Sequence, residues 1–71
     1  MSVAAGERWD IALGADGQWR PVNVLTVRGD QVEVRYLDMG TAPDSMSVTI
    51  LSRHQMLENK TRYRKVGGQQ P

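Results

Sequence analysis

No cysteine and no phenylalanine occur among the 71 residues of this chain, and histidine occurs once. Without cysteine there is no disulfide to staple the fold and no thiolate metal site. A single histidine excludes a multi-histidine metal centre. No apolar run approaches the ~20 residues of a membrane-spanning helix, so neither a metal nor a membrane is an expected partner. The first residues, MSVAAGE, lack the basic and apolar regions of a secretory leader. With a start at Met1 and no cysteine, the expectation is a cytoplasmic protein of bacterial or phage character.

Enzymatic parts are equally scarce. His54 is the one side chain that titrates near neutrality when unperturbed. No serine stands in a nucleophile-elbow context, and no glycine pattern makes a phosphate loop, so neither catalysis nor a cofactor is expected. Net charge is +1, too small to imply a polyanion partner, but it is unevenly spread. Residues 1–52 sum to −3, while residues 53–71, with Arg53, Lys60, Arg62, Arg64 and Lys65 against Glu58, sum to +4. A basic end can contact something acidic, or it can guard a strand edge, because Lys and Arg discourage edge-to-edge pairing.

What is present is β-branched alternation. In QVEVRYLDMG, residues 31–40, Val32, Val34 and Tyr36 alternate with Glu33, Arg35 and Leu37, the period of a strand with one buried face. Another valine-rich run precedes it, and Arg28-Gly29-Asp30 between them reads as a hairpin turn rather than as an integrin tripeptide. In residues 7–13, Trp9, Ile11 and Leu13 share a face; Asp16-Gly17 then turns the chain into a strand over 19–27. Pro21 places that strand at an edge, bend or bulge. Val27 is out of phase with Val22 and Val24, which predicts a bulge near Leu25 and Thr26.

After a turn-rich loop over 40–45, Met46, Val48 and Ile50 alternate with Ser47, Thr49 and Leu51 as a fourth strand. Ser52 with Gln55 three residues on makes a capping box, and Leu51 with Met56 makes a hydrophobic staple, so a short helix should run over 53–58. Residues 60–66 alternate again. The predicted core is Trp9, Ile11, Val22, Val24, Val32, Val34, Val48 and Ile50, with Trp19 as a further large core residue. The expected organisation is a frayed stretch 1–5, one domain over 6–66 and a flexible tail 67–71. A chain this size buries only ~60% of its unfolded surface, so self-association is an open option. The predicted fold class is all-β: a small five-stranded SH3-like barrel with one helical turn before the last strand. An OB-fold is the alternative and normally needs a longer chain.

The order of these pieces resembles the Tudor family of SH3-like barrels. Gly6-Glu7 before the first strand, Ala15-Asp16-Gly17-Gln18-Trp19 at the first turn, Val32 to Gly40 at the third strand and its corner, and Ile50-Leu51-Ser52 before the helix carry the resemblance. In that family's methyl-lysine and methyl-arginine readers an aromatic cage holds the cation by cation–π attraction. The resemblance puts the cage positions on Leu13, Arg20, Tyr36 and Met39, of which only Tyr36 is aromatic, and Arg20 puts a positive charge where the ligand's cation would sit. Thr41 stands where the readers have an Asn. The resemblance therefore implies a non-enzymatic binding module with a protein partner at this rim, and not a methyl-cation reader.

The segment from Ser47 to Glu58 also resembles type II dihydrofolate reductases. Their catalytic Gln-Ile-Tyr step falls here on Thr49-Ile50-Leu51, so that activity is not expected. Two alternatives to the rim remain. One is weak, sequence-independent nucleic-acid binding by Arg53, Lys60, Arg62, Tyr63, Arg64 and Lys65. The other is a structural role as a homo-oligomer subunit.

Overall fold

The structure, a computed structural model, describes residues 2–67. Five strands form one antiparallel sheet: β1 (Arg8–Ile11), β2 (Arg20–Arg28), β3 (Gln31–Tyr36), β4 (Val48–Ser52) and β5 (Tyr63–Gly67). Two short helices, α1 (Asp44–Ser47) and α2 (Arg53–Glu58), flank β4. The strand order is β4-β3-β2-β1-β5. Successive strands are neighbours, except that β5 returns to pair with β1. The sheet is not closed: β4 and β5 are its edges, and α2 packs against both. The domain is thus all-β in character, but the closed barrel expected from the sequence is replaced by an open sheet bridged by a helix. The bridge is Met56, which is fully buried in the core between the two edges.

The central hairpin follows its sequence cues. Arg28 pairs with Gln31, leaving Gly29-Asp30 as a two-residue turn, and Gly29 has φ +59°, a conformation cheap only for glycine. The ladder slips between Val24 and Thr26, so Leu25 is the bulged residue and Val27 returns to register opposite Val32. Helix α2 begins as its capping box requires: the Ser52 hydroxyl accepts from the Gln55 amide. Asp30 reinforces this start from the hairpin turn. Its carboxylate accepts from the Ser52 hydroxyl at 2.7 Å and from the His54 amide at 2.8 Å, and its carbonyl accepts from the Arg53 amide at 2.7 Å. The Ser52 hydrogen bond, then that of His54, holds the Asp30 carboxyl below its usual range.

Trp9, Ile11, Val22, Val24, Val32 and Val34 are buried as expected. Val48 is only half-buried and Ile50 is 54% exposed; Leu51 takes the inward place, opposite Val32. The phase of β4 is therefore opposite to the one its alternation suggested. The cause lies upstream. The chain makes the helical turn α1, not an extended start at Met46, and Ser47 is buried, donating to the Pro43 carbonyl and accepting from Arg35. Trp19 lies outside the core, 36% exposed. Val3, within the stretch expected to be frayed, is buried and belongs to the core, and Gly6 donates to the Val24 carbonyl. Gly67 ends β5; the rest of the predicted tail lies outside the described residues.

Candidate functional site

At one end of the core-facing side, three strands finish together. The β1–β2 ladder ends at Ile11 opposite Arg20, and the β2–β3 ladder ends at Val22 opposite Tyr36. The backbone continues the second ladder one step, because the Leu37 amide donates to the Pro21 carbonyl at 2.9 Å. One further step sets Arg20 opposite Asp38. Their side chains meet there: Nε and Nη2 of Arg20 each donate to one carboxylate oxygen of Asp38, both at 3.0 Å. Nη2 also approaches the Met39 sulfur at 3.3 Å. The guanidinium carbon sits 4.1 Å from the centroid of the Tyr36 ring.

Three of the four predicted rim residues, Arg20, Tyr36 and Met39, are thus in one cluster. The fourth, Leu13, is 46% exposed beyond the end of β1. Asp38 is the member that sequence reasoning missed. The signal was an acid two residues past the strand end, opposite an arginine once the hairpin register is known. The Arg20 hydrogen bond holds the Asp38 carboxyl below its usual range, and Asp38 in turn raises Arg20. Leu37 is 45% exposed next to this pair. Chemically the cluster is an ordered guanidinium backed by a phenol ring and a carboxylate, with the Met39 sulfur beside it.

The basic C-terminal residues scatter into separate roles. Lys65 pairs with the buried carboxylate of Glu7 at 3.1 Å, and Glu7 also accepts from the Trp9 indole at 3.0 Å. Burial pushes the Glu7 carboxyl upward, but the hydrogen bonds from Trp9, Lys65 and Ala4 outweigh it and leave it lowered. Arg64 reaches Asp10 at 3.3 Å and lies 4.2 Å over the Trp19 ring, on the sheet's outer face. Arg62 donates to the Ala12 carbonyl at 2.8 Å. Tyr63, expected as a stacking platform, is buried in the core, and that burial raises its phenol. Arg53 and Lys60 are exposed.

On the outer face of β2, β3 and β4, Thr26, Arg28, Gln31, Glu33 and Ile50 line a shallow cleft. Among the described residues no cluster of His, Asp and Glu is placed to hold a metal ion, and no helix is long and apolar enough to cross a membrane. No protein-family model, no curated protein and no solved structure matches the chain.

Proposed function

We propose that this chain is a non-enzymatic binding module of the SH3-like, Tudor-type kind, and that it holds an extended protein segment at the Arg20–Tyr36–Asp38–Met39 rim. The strand order, with the last strand beside the first and a helical turn just before it, supports the fold part of this reading. The single observation that carries the functional part is the ordered Arg20 guanidinium, fixed by Asp38 and Tyr36 at the open end of the sheet. An ordered arginine with a nitrogen to spare loses little entropy when it donates to a partner's carbonyl or carboxylate. Met39, half-buried beside Arg20, supplies soft apolar contact for a neighbouring side chain. The face of Tyr36 that a methylated cation would need is already covered by Arg20, so the reading excludes methyl-lysine and methyl-arginine ligands.

Nucleic acid is the weaker reading. Phosphate would have to displace Glu7 from Lys65 and Asp10 from Arg64, and Tyr63 offers no free ring for a base. The test is selection from a library of displayed random peptides against the immobilised wild type, followed by titration of the enriched peptides. Binding should fall at least tenfold with Arg20→Ala and with Met39→Ala, and trimethyl-lysine or dimethyl-arginine peptides should show none. Enriched peptides that bind Arg20→Ala as tightly as wild type, or a selection that enriches nothing, would remove the rim as a site.

A further inference from the structure

The β4 edge differs from the rest of the surface in what its backbone offers. In an antiparallel ladder, hydrogen-bonded pairs alternate with non-hydrogen-bonded ones. The Arg53 amide donates to the Asp30 carbonyl directly opposite, one step beyond the Gln31–Ser52 pair. That fixes the parity. The hydrogen-bonded pairs of this ladder are Val32–Leu51 and Val34–Thr49, so the N–H and C=O of Ile50 and Ser52 point away from β3, toward the free edge. The Val48 amide also points away, but α1 takes it up through the Asp44 carbonyl.

This edge carries no guard. Val48–Ser52 contains neither a charged residue nor a proline, the usual protections of an open edge. The opposite edge strand, β5, carries Arg64 and Lys65. Next to the free amides of β4 stands Ile50, 54% exposed, and Met46 in α1 just before the strand is 63% exposed. The Met46-Val48-Ile50 alternation that reads as a core face in the sequence is thus presented outward, at an edge with unused hydrogen-bonding groups.

The groups left free on the edge select the occupant. With its Val48 amide taken by α1, β4 offers the Val48 C=O, the N–H and C=O of Ile50 and the Ser52 N–H. That set is its own complement about Ile50 when a second β4 runs antiparallel to the first. We propose that the chain self-associates as a two-fold symmetric dimer through the β4 edges, with Ile50 opposite Ile50 of the second copy. In that register Ile50 exchanges two hydrogen bonds with its symmetry mate. Each Ser52 amide donates to the Val48 carbonyl of the other copy, which uses the Val48 group that α1 leaves free. Two open five-stranded sheets become one continuous sheet, and Ile50 packs on its mate across the axis. The joint is short, below the area of a standard stable interface, so it belongs to the weak, concentration-dependent class.

The experiment is sedimentation equilibrium of the whole chain from roughly 10 μM to 1 mM, a range that brackets weak association. It is paired with amide hydrogen exchange at both ends of the range. The mass should rise from 7.9 kDa toward twice that value, and the Ile50 and Ser52 amides should become at least tenfold more protected at high concentration. Ile50→Lys, a charge placed on an exposed side chain at the axis, should remain monomeric throughout. Leu13→Lys, beyond the end of β1, should leave association unchanged. A constant mass across the range, association of Ile50→Lys equal to wild type, or association without a change at the Ile50 amide would each overturn the proposal.

Discussion

At the β5 edge, acids on and just before the first strand meet bases on and just before the last. Lys65 reaches Glu7, Arg64 lies between Asp10 and the Trp19 ring, and Arg62 ties back to the Ala12 carbonyl. At the β4 edge no charged residue lies within the strand, Ile50 is exposed, and free backbone groups face outward. The same sheet therefore has one edge tied down within the chain and one left available. The difference explains why a charge asymmetry along the sequence, −3 then +4, does not become a basic surface: the positive end folds onto the negative beginning. It also separates two kinds of stability. The β5 edge depends on pH and salt, whereas the β4 edge depends on apolar burial.

The residue that both edges share is Met56, so its removal should have the largest effect. A fully buried methionine cut to alanine loses transfer free energy and leaves a cavity, about 2–5 kcal/mol. Met56→Ala should lower the unfolding free energy measured by urea denaturation by that amount and raise exchange of β4 and β5 amides before those of β2 and β3. Uniform loss of protection over all five strands would show that α2 does not act as a bridge between separate edges.

Glu7 tests the charged edge alone. In Glu7→Ala the Trp9 indole N–H stays buried without its acceptor, a loss of about 1–3 kcal/mol. The native carboxyl is held below its ordinary value of 4.5, so the folded state binds fewer protons than the unfolded one in that range. The stability it contributes is complete above pH ~5 and disappears as pH falls through the ordinary value toward the native one. The exposed Asp30, Asp38 and Asp44 are shifted in the same direction and add to the slope. Denaturant midpoints of wild type should therefore drop as pH falls below about 5, and those of Glu7→Gln should drop less. Equal slopes would assign the acid sensitivity to the aspartates and leave the β5 edge no different in kind from the β4 edge.

The parts legible in the sequence are those where two independent signals agree. The β2–β3 hairpin combines alternation with a glycine at the one turn position that needs positive φ. Helix α2 combines a cap with a staple, and the Leu25 bulge shows as the phase slip of Val27. The β4 phase was not legible because both of its faces are apolar enough to be the inner one: Met46, Val48 and Ile50 on one, Leu51 on the other. What decides is α1, whose Arg35–Asp44 and Arg35–Ser47 contacts fix where the strand begins. At the rim, the end of a strand marked Tyr36 and Met39, but Arg20 and Asp38 are eighteen residues apart, and their pairing needs the β2–β3 register carried past the Leu25 bulge to the open end of the hairpin, which no local pattern reports. The role of Trp19 was lost for a related reason. Its ring is stacked by an arginine from the far end of the chain.

That stack gives the smallest expected effect. Arg64 is more than half exposed, Asp10 less so, and the ion pair between them spans 3.3 Å. A solvent-screened pair of this kind contributes about 0–1 kcal/mol, and an exposed cation–π contact about 0.5–1 kcal/mol. Both use one guanidinium, so Arg64→Ala should cost about 1 kcal/mol in total rather than the sum of the extremes. The two parts separate by salt, because at roughly 1 M the screening length shrinks to about 3 Å. The pair with Asp10 should then fade while the short-range stack on Trp19 persists. A double-mutant cycle of Arg64→Ala with Trp19→Leu should therefore keep most of its coupling at high salt, and a cycle with Asp10→Asn should lose it. If both couplings vanish together, the guanidinium is held over Trp19 only by its pairing with Asp10, and the β5 edge is purely electrostatic.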